Sequence, residues 1–511
     1  MTLPEGQSPL LDQLAPEPET SILRFRRTSG LLLAPLAFFG VLATPLPSLA
    51  AAPHRLAGVL ASVMVLWITE ALPLPVTALI GAAACVLLQI APAKEVFASF
   101  ADPLIFLFIG SFILARAIFL HGLDRRLAFS ILSLPWIGGR PGRVLIAFGA
   151  VTAFISAWIA NAATTAMMSA IALSIIKYLN DPRREDGPAV SRAYATGLML
   201  MTTFAASVGG LATPIGAAPN LIGLGLIRDV LKVEFSFLDW CVIGVPAAGI
   251  LYLFVACYLR VCFPAGVAVL PGGQSLFAAE KQKLGPWTAA QRSTLLACTV
   301  TVGLWLAPAV LALVLGEGSP LYQAVDASFP EPVAALVGAI LLFLLPGQRG
   351  QRAISWDEAS RIDWGIILLF GGGLSLGILA FRTGLAENIG SGLAEVIPAR
   401  GTLGLVALAT ISAAIVSEVT SNTASANMVV PVIILIAQST GVDPLQPALA
   451  ATLGSGLGFM LPVSTPCNAI VYSSGHVPLR QMMLYGFLLD VVGAIVIIAA
   501  VHLLTPLVHQ P

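Results

Sequence analysis

The stretch SEVTSNTAS at residues 417–425 is a polar segment between two apolar runs, at 402–416 and 424–438. Each run is shorter than the roughly 20 helical residues needed to cross the ~30 Å hydrocarbon core of a bilayer. Polar groups at membrane depth are expensive, so a tip of hydroxyl and amide side chains indicates function rather than a simple turn. The pattern predicts a re-entrant helical hairpin at 402–438 with its tip near the membrane midplane.

A stretch of the same form, WIANAAT at 158–164, lies between apolar runs at 144–159 and 163–176. Both outer ends of this pair are basic, and the flanking residues are Arg140, Arg143, Lys177, Arg183 and Arg184. The positive-inside rule therefore predicts a hairpin at 144–177 that opens to the cytoplasm. The hairpin at 402–438 lacks such flanks, so we expect it to open to the outside.

The two hairpins belong to an internal repeat. FIGSFILA at 108–115 reads like FGGGLSLG at 370–377, and GAAPN at 216–220 corresponds to STPCN at 464–468. The GAAPN and STPCN segments interrupt apolar stretches, which predicts two broken helices, at 193–228 and 447–476. An odd number of predicted crossings separates the copies, so we expect them to be inverted. Inverted repeats with broken helices that meet at the midplane are typical of secondary transporters.

The composition places the chain in a membrane. Of 511 residues, 57% are hydrophobic and 10% are charged, whereas soluble domains carry about 25% charged residues. The 26 Lys and Arg balance the 26 Asp and Glu, so no basic excess indicates nucleic acid. The six cysteines form no CxxC pair or Cys/His cluster of metal-ligand spacing and are interpreted as packing residues.

The predicted fold is an all-α polytopic membrane protein, with about 11 transmembrane helices plus two re-entrant hairpins in two inverted repeats. The first apolar run is too long for a signal-peptide core and is expected to remain as a membrane helix. The predicted parts are a cytoplasmic N-terminal tail (1–28), a first repeat (29–262), a cytoplasmic linker (263–292) with an interfacial helix at 279–292, and a second repeat (293–511) that ends in a helix at 482–505.

Three motifs resemble the divalent anion:sodium symporters, a family that transports di- and tricarboxylates or sulfate. WITEALPLPVT at 67–77 is similar to an early segment of that family. The stretch at 417–425 resembles the hairpin with its Ser-Asn-Thr signature, and LPVSTPCNAI at 461–470 resembles the broken helix that faces it. The resemblance implies a multi-pass protein of the cytoplasmic (inner) membrane, a homodimer and an elevator-like movement of the part that carries the hairpins.

The chemistry of the second tip is independent of that resemblance. A helix that starts there presents unpaired backbone N–H groups and the positive end of its dipole, which suit an anion. Ser421 and Thr423 add hydroxyl groups, and Asn422 offers a carbonyl to a cation and an amide to an anion. Neither tip contains Lys, Arg or His. Sodium, which prefers hard oxygen ligands, is therefore expected to neutralise the substrate, and no other cofactor is expected.

The resemblance also implies a role for individual residues. One sodium ion would be held by Ser156, Asn161 and the backbone carbonyl of Gly216. A second sodium ion would be held by Ser417, Ser421, Asn422 and the backbone of Ser464. The substrate carboxylates would be bound by Asn161, Ser421, Asn422, Thr423 and Thr465. The sequence departs from the family at three places. Ala160 and Ala162 flank Asn161 at the first tip, and Ala217 and Ala218 replace a hydroxyl residue and a proline in the first broken helix. In the second broken helix, Cys467 stands where a second proline is common.

The residues leave several alternatives open. Glu70 and Glu418 are candidate proton carriers within the membrane, although Glu418 is also placed to link its hairpin to the surroundings. Arg116 and Arg382 are the nearest fixed cations and are expected to reach an interface. A sodium-independent carboxylate or sulfate exchanger is the main rival function. A membrane-embedded hydrolase is a remote rival, since no HExxH or GxSxG motif occurs and no enzymatic activity is expected. A passive channel is a second remote rival.

Overall fold

The computed structural model describes residues 21–45, 49–137, 139–180, 190–270, 272–316, 318–348, 350–388 and 401–508. In these residues the chain is helical, and one isolated β-bridge joins Pro346 and Arg352. The all-α prediction is therefore confirmed. In chain order the helices are α1 (Ser21–Ala43), α2 (Ala51–Thr69), α3 (Leu74–Leu87), α4 (Ala93–Ala98), α5 (Pro103–Leu120), α6 (Leu123–Leu132), α7 (Pro141–Ser156), α8 (Asn161–Leu179), α9 (Arg192–Gly209), α10 (Ala218–Leu226), α11 (Phe237–Cys262), α12 (Gly273–Lys283), α13 (Ala289–Leu315), α14 (Pro320–Ser328), α15 (Glu331–Leu344), α16 (Trp356–Ala359), α17 (Trp364–Arg382), α18 (Gly401–Val419), α19 (Asn422–Ser439), α20 (Leu445–Gly454), α21 (Pro466–Ser473) and α22 (Leu479–Val508).

Ten of the helices are long and apolar enough to cross a membrane by length and composition, or 11 if the bent pair α14 and α15 forms one span. Three of the ten are hairpin arms, and the other seven, together with the bent pair, the short apolar helix α3 and the two broken helices, make up the predicted 11 membrane helices. The hairpin arms α7, α8, α18 and α19 have 16, 19, 19 and 18 residues, and the last three are longer than the apolar runs of the sequence. The polar tip residues continue the helices, so only 157–160 and 420–421 lie outside them.

Three predicted boundaries are corrected. Helix α1 begins at Ser21, inside the predicted tail, and Arg26 in it forms an ion pair of 2.7 Å with Glu70. The linker helix is α12 (Gly273–Lys283) rather than 279–292. Helix α13 starts at Ala289 because Thr288 and Gln291 form a capping box, a start signal that the sequence contains. Arg183 and Arg184, which flank the first hairpin, lie outside the described residues.

The packing of the two halves brings the hairpins and broken helices together. Helix α8, the second arm of the first hairpin, packs against α21 of the second broken helix. Helix α19, the second arm of the second hairpin, packs against α10 of the first broken helix. Each hairpin therefore contacts the broken helix of the other half. The last helix, α22, packs against α18 and α20.

Candidate substrate and sodium site

The first tip joins the end of α7 to the start of α8 through two polar side chains. The Asn161 amide lies 2.8 Å from Ser156 Oγ. Three oxygens surround this amide, so its nitrogen faces them and donates to Ser156 Oγ at 2.8 Å and to the carbonyls of Gly216 and Ala206 at 3.2 Å each. Ser156, Asn161 and Gly216, which the sequence predicts as ligands of one sodium ion, thus meet around a single amide.

Gly210 allows the first broken helix to approach this tip. A Cβ atom at Gly210 would lie 2.9 Å from Asn161 Cγ and closer still to both polar atoms of its amide, which is closer than real Cβ contacts. The Asn161 side chain therefore occupies the space that any other residue at 210 would need. The sequence reasoning did not identify Gly210, because the requirement comes from a residue that contacts it across the fold.

The second tip pairs the same two residue types between α18 and α19, with the hydrogen bond in the opposite direction. Ser417 Oγ donates to Asn422 Oδ1 at 2.7 Å and also lies 2.9 Å from the carbonyl of Ser455. Asn422 Nδ2 donates to the carbonyl of Gly456 at 3.3 Å. A serine at the end of the first arm and an asparagine at the start of the second thus form the tip in both halves.

Three of the four predicted ligands of the second sodium ion converge on Gly458. A Cβ atom at this position would lie 3.0 Å from Asn422 Oδ1, 3.1 Å from Ser417 Oγ and 3.5 Å from Ser464 Cβ. Glycine leaves a small space lined by hydroxyl and amide oxygens, which are the ligands that sodium accepts. The donor set fits a monovalent hard cation, and the assignment of these residues as ligands stays a prediction.

Glu418 ties the second tip to the second broken helix. Its carboxylate accepts hydrogen bonds from the backbone N–H groups of Met460 at 2.8 Å and Leu461 at 3.3 Å, and from Ser464 Oγ at 2.7 Å. This is the linking role that the sequence analysis left open. The carboxylate also places a negative charge beside the predicted second sodium site, which favours a cation there.

The first half makes the corresponding link with different groups. Thr213 in the first broken helix donates its hydroxyl hydrogen to the carbonyl of Ala157, next to the first tip. The same hydroxyl accepts from the N–H of Gly216 at 3.1 Å. Here a neutral hydroxyl replaces a carboxylate, so the first tip has no fixed negative charge of this kind.

Two asparagines brace the loops of the broken helices. Asn220 Nδ2 donates to the carbonyls of Gly210 at 2.8 Å and Thr213 at 2.9 Å. Asn468 Nδ2 donates to the carbonyls of Gly458 and Leu461, both at 3.0 Å. Both asparagines are fully buried. The internal repeat contained the signal for this pair, since it aligns Asn220 with Asn468, but it did not show which carbonyls they bind.

The helix caps differ between the two half-sites. Ser421 Oγ caps α19 by accepting from the N–H of Ala424 at 3.2 Å, and Thr465 Oγ1 caps α21 by accepting from Asn468 N at 3.1 Å. Their hydroxyl hydrogens remain to donate to a ligand. Ala160 and Ala217 occupy the same places before α8 and α10 and form no side-chain cap.

Thr423 is placed at the start of α19. It is half-buried, and its hydroxyl forms no hydrogen bond among the described residues. Only its backbone carbonyl is bound, by Asn427 Nδ2 at 3.0 Å. Thr423 is a predicted substrate ligand of the second half, and its hydroxyl group therefore has no other hydrogen bond among the described residues to give up when it binds a ligand.

The two arginines that the sequence analysis considered as fixed cations form ion pairs with acidic residues outside the predicted site. Arg116 pairs with Glu358 at 2.6 Å and Arg382 pairs with Glu95 at 3.0 Å. No basic side chain hydrogen-bonds to a predicted site residue in the part of the chain that the structure describes. A dianion bound at the tips would therefore need cations that bind with it.

Most of the chain matches known transporters. A family model described as "Sodium:sulfate symporter transmembrane region" matches residues 26–509. A protein of Staphylococcus saprophyticus named sodium-dependent dicarboxylate transporter SdcS is 32% identical over 445 residues, which cover 86% of this chain and 84% of that protein. The protein of the same name from Staphylococcus aureus USA300 is 33% identical over 447 residues, with the same shares covered.

Two solved structures share the fold at low sequence identity. The YdaH transporter of Alcanivorax borkumensis superimposes with a TM-score of 0.51 at 14% identity, over 81% of this chain and 87% of that one. MtrF of Neisseria gonorrhoeae superimposes with a TM-score of 0.52 at 13% identity, over 83% of this chain and 85% of that one. At this identity the likeness concerns the fold alone.

Proposed function

The chain belongs to the sodium:sulfate symporter family, and from this membership we propose that it is a secondary active transporter that moves a small divalent organic anion across the membrane together with sodium. The substrate class is a dicarboxylate such as succinate. Two relatives that are similar over most of their length carry the name sodium-dependent dicarboxylate transporter, which supports this class.

The observation that carries the proposal is the pair of oxygen-lined tips without a fixed cation. Ser156 with Asn161, and Ser417 with Asn422, pair the same two residue types in the two halves. Neutral oxygens bind sodium well, whereas they cannot neutralise two carboxylates. Sodium would therefore supply the positive charge that the substrate needs, and this requirement is the physical basis of coupling.

The role of each residue is the one that the family resemblance implies. Asn161, Ser156 and the Gly216 carbonyl hold one sodium ion, and Ser417, Ser421, Asn422 and Ser464 hold the other. Thr423, Ser421 and Thr465 donate hydroxyl hydrogens to one carboxylate of the substrate, together with the Asn422 amide. In the first half, Asn161 is the only predicted side-chain donor to the other carboxylate.

A thermal-shift panel tests this proposal on the purified protein. Succinate and related dicarboxylates should raise the unfolding temperature in sodium buffer, because ligands that bind only the folded state stabilise it by mass action. The same compounds should give little shift in choline buffer. Stabilisation by sulfate alone, or by dicarboxylates to the same extent without sodium, would contradict the proposal.

The alanines at the first tip predict a weaker first half-site. Replacing them by the residues of the second tip, as Ala160→Ser with Ala162→Thr, should strengthen binding of compact dicarboxylates over matched monocarboxylates by about ten-fold. The reason is that a hydrogen bond to a charged group contributes roughly 1.5 to 3 kcal/mol. Isothermal titration with both ligand classes measures the change, and an unaltered ratio would show that this tip does not bind a carboxylate.

The orientation and assembly belong to the same proposal. The basic flanks of the first hairpin support a cytoplasmic N-terminus, and the family resemblance supports a location in the cytoplasmic membrane. Labelling of a single cysteine at Arg140 from outside the cell would contradict this orientation. Since family resemblance implies a homodimer, a monomeric mass for the active protein in detergent would contradict that assembly.

A further inference from the structure

The segment between the first broken helix and α11 joins two groups of helices. The first group, the hairpin unit, comprises the two hairpins, the two broken helices, α11 and α22, which pack on one another. The second group, the flanking unit, comprises α2–α5 and α13–α17, in which α5 packs against α15 and α3 against α17. The flanking unit has a small hydrophobic core of its own, which includes Ile113, Ala297 and Leu342. Alternating access moves one packed unit of a transporter against the other, so contacts between the two units must change during transport.

Arg228 joins the two units through an ion pair. It lies in the π-helical turn Ile227–Leu231, which continues α10, and its guanidinium pairs with Asp102 and, at 2.9 Å, with Asp229. Asp102 is 8% exposed and caps α5, because its other carboxylate oxygen accepts from the N–H of Leu104 at 2.8 Å. An ion pair that is shielded from water in this way interacts more strongly than an exposed pair. The end of the first broken helix is therefore attached to the start of α5.

A second carboxylate of the flanking unit binds the same segment. Glu331, the first residue of α15, accepts a hydrogen bond from the backbone N–H of Phe237, the first residue of α11. The Phe237 ring stacks on Trp305 of α13 at a centroid distance of 4.8 Å, and on Trp158 in the loop of the first tip at 6.2 Å. The Trp305 indole N–H donates to the backbone carbonyl of Glu331 at 3.0 Å. The segment 228–237 is thus attached to the flanking unit at both ends, and its second end also contacts the first tip.

We propose that the segment 228–237 is a clasp that holds the hairpin unit against the flanking unit in the conformation of this structure, and that the ion pair between Arg228 and Asp102 must open for substrate to cross the membrane. The clasp acts on movement and not on binding. In the described part of the chain, the side chains of Arg228, Asp102 and Glu331 form no hydrogen bond with a predicted sodium or substrate ligand. The inference rests on the proposed transport function and adds to it a contact that controls the conformational change.

A reversible cross-link tests whether the ion pair must open. Asp102→Cys with Arg228→Cys is made in a protein whose exposed cysteines, Cys257 and Cys262, are replaced by serine. The new pair is joined by a bifunctional methanethiosulfonate, which a thiol reductant removes. Sodium-driven uptake of succinate should fall about ten-fold or more in the cross-linked protein and return after reduction, because a blocked conformational step limits turnover. Sodium and succinate together should still raise the unfolding temperature of the cross-linked protein, since the tips are unchanged.

A cross-link within the flanking unit is the matched control. Glu95 of α4 and Arg382 of α17 also form an ion pair, at 3.0 Å, but both residues belong to the flanking unit. The protein with Glu95→Cys and Arg382→Cys should therefore keep its uptake after the same treatment. If the protein cross-linked between 102 and 228 keeps its uptake, with the cross-link verified by mass spectrometry, the clasp does not need to open and the inference is overturned.

A distance measurement tests the clasp without the cysteine pair at 102 and 228. Spin labels on Leu313→Cys in α13 and Ile415→Cys in α18, two positions that are 87% and 61% exposed, report the separation of the two units. The ratio of molecules at the distance of this structure to those at other distances should fall about three-fold or more when Arg228→Met removes the charge. Arg382→Met is the control and should leave the ratio unchanged.

The two proposals fail in different ways. An Arg228→Met protein with the parental distance distribution would overturn the clasp, whatever the result of the cross-link. A parent protein that accumulates no succinate in a sodium gradient would instead contradict the proposed function.

Discussion

Replacing Thr423 by valine is expected to weaken dicarboxylate binding by about ten- to a hundred-fold. Valine has nearly the shape of threonine but lacks the hydroxyl, and the Thr423 hydroxyl is not used by any hydrogen bond among the described residues. The packing of α19 should therefore survive, while a donor to the substrate carboxylate is lost. Titration of the purified variant with succinate at saturating sodium measures the effect.

Thr440→Val provides the matched control for this substitution. Thr440 lies at the other end of α19, where its hydroxyl donates to the carbonyl of Ile436 at 2.8 Å. We expect it to bind succinate like the parent. If Thr423→Val also binds like the parent, the second tip does not bind a carboxylate through this residue.

The second large effect is expected at Gly210. The substitution Gly210→Ala would push a methyl group into the Asn161 amide and displace it from Ser156 and the Gly216 carbonyl. Overpacking of this kind costs about 1 to 3 kcal/mol, so sodium binding at the first site should weaken by about five- to a hundred-fold. Gly458→Ala should act on the second site in the same direction but less strongly, because its nearest contacts are at 3.0 and 3.1 Å.

Gly303→Ala is the control for both glycine variants. Gly303 lies in α13, and a Cβ atom there meets nothing within 4 Å. Its sodium dependence and unfolding temperature should match those of the parent. A Gly210→Ala protein that folds and keeps the parental sodium dependence would show that Asn161 does not serve a sodium site.

The sequence predicted the hairpins and the residues that meet at their tips more completely than it predicted the helix ends. Hairpins and broken helices follow from apolar run length and from the repeat, and the serine and asparagine of each tip meet as the family resemblance implied. Helix α1 starts earlier than predicted because arginines are good helix formers, so Arg24 to Arg27 continue the helix rather than precede it. An apolar run marks only the hydrophobic part of a helix. The helix itself continues into polar residues at either end of the run.

The residues that sequence reasoning missed depend on contacts between distant parts of the chain. Gly210 and Gly458 are two of 47 glycines, and only the packing of Asn161 and Asn422 against them distinguishes them from the others. The repeat did align Asn220 with Asn468, so that pair could have been assigned to loop bracing from the sequence alone.

Uptake of labelled succinate into proteoliposomes tests the central claim most directly. An inward sodium gradient should drive accumulation, because sodium must neutralise the dianion at tips that carry no basic side chain. When choline replaces sodium on both sides, uptake should fall to the level of protein-free liposomes, even with unlabelled succinate inside. Undiminished uptake in choline with succinate inside would contradict sodium coupling and identify an anion exchanger instead.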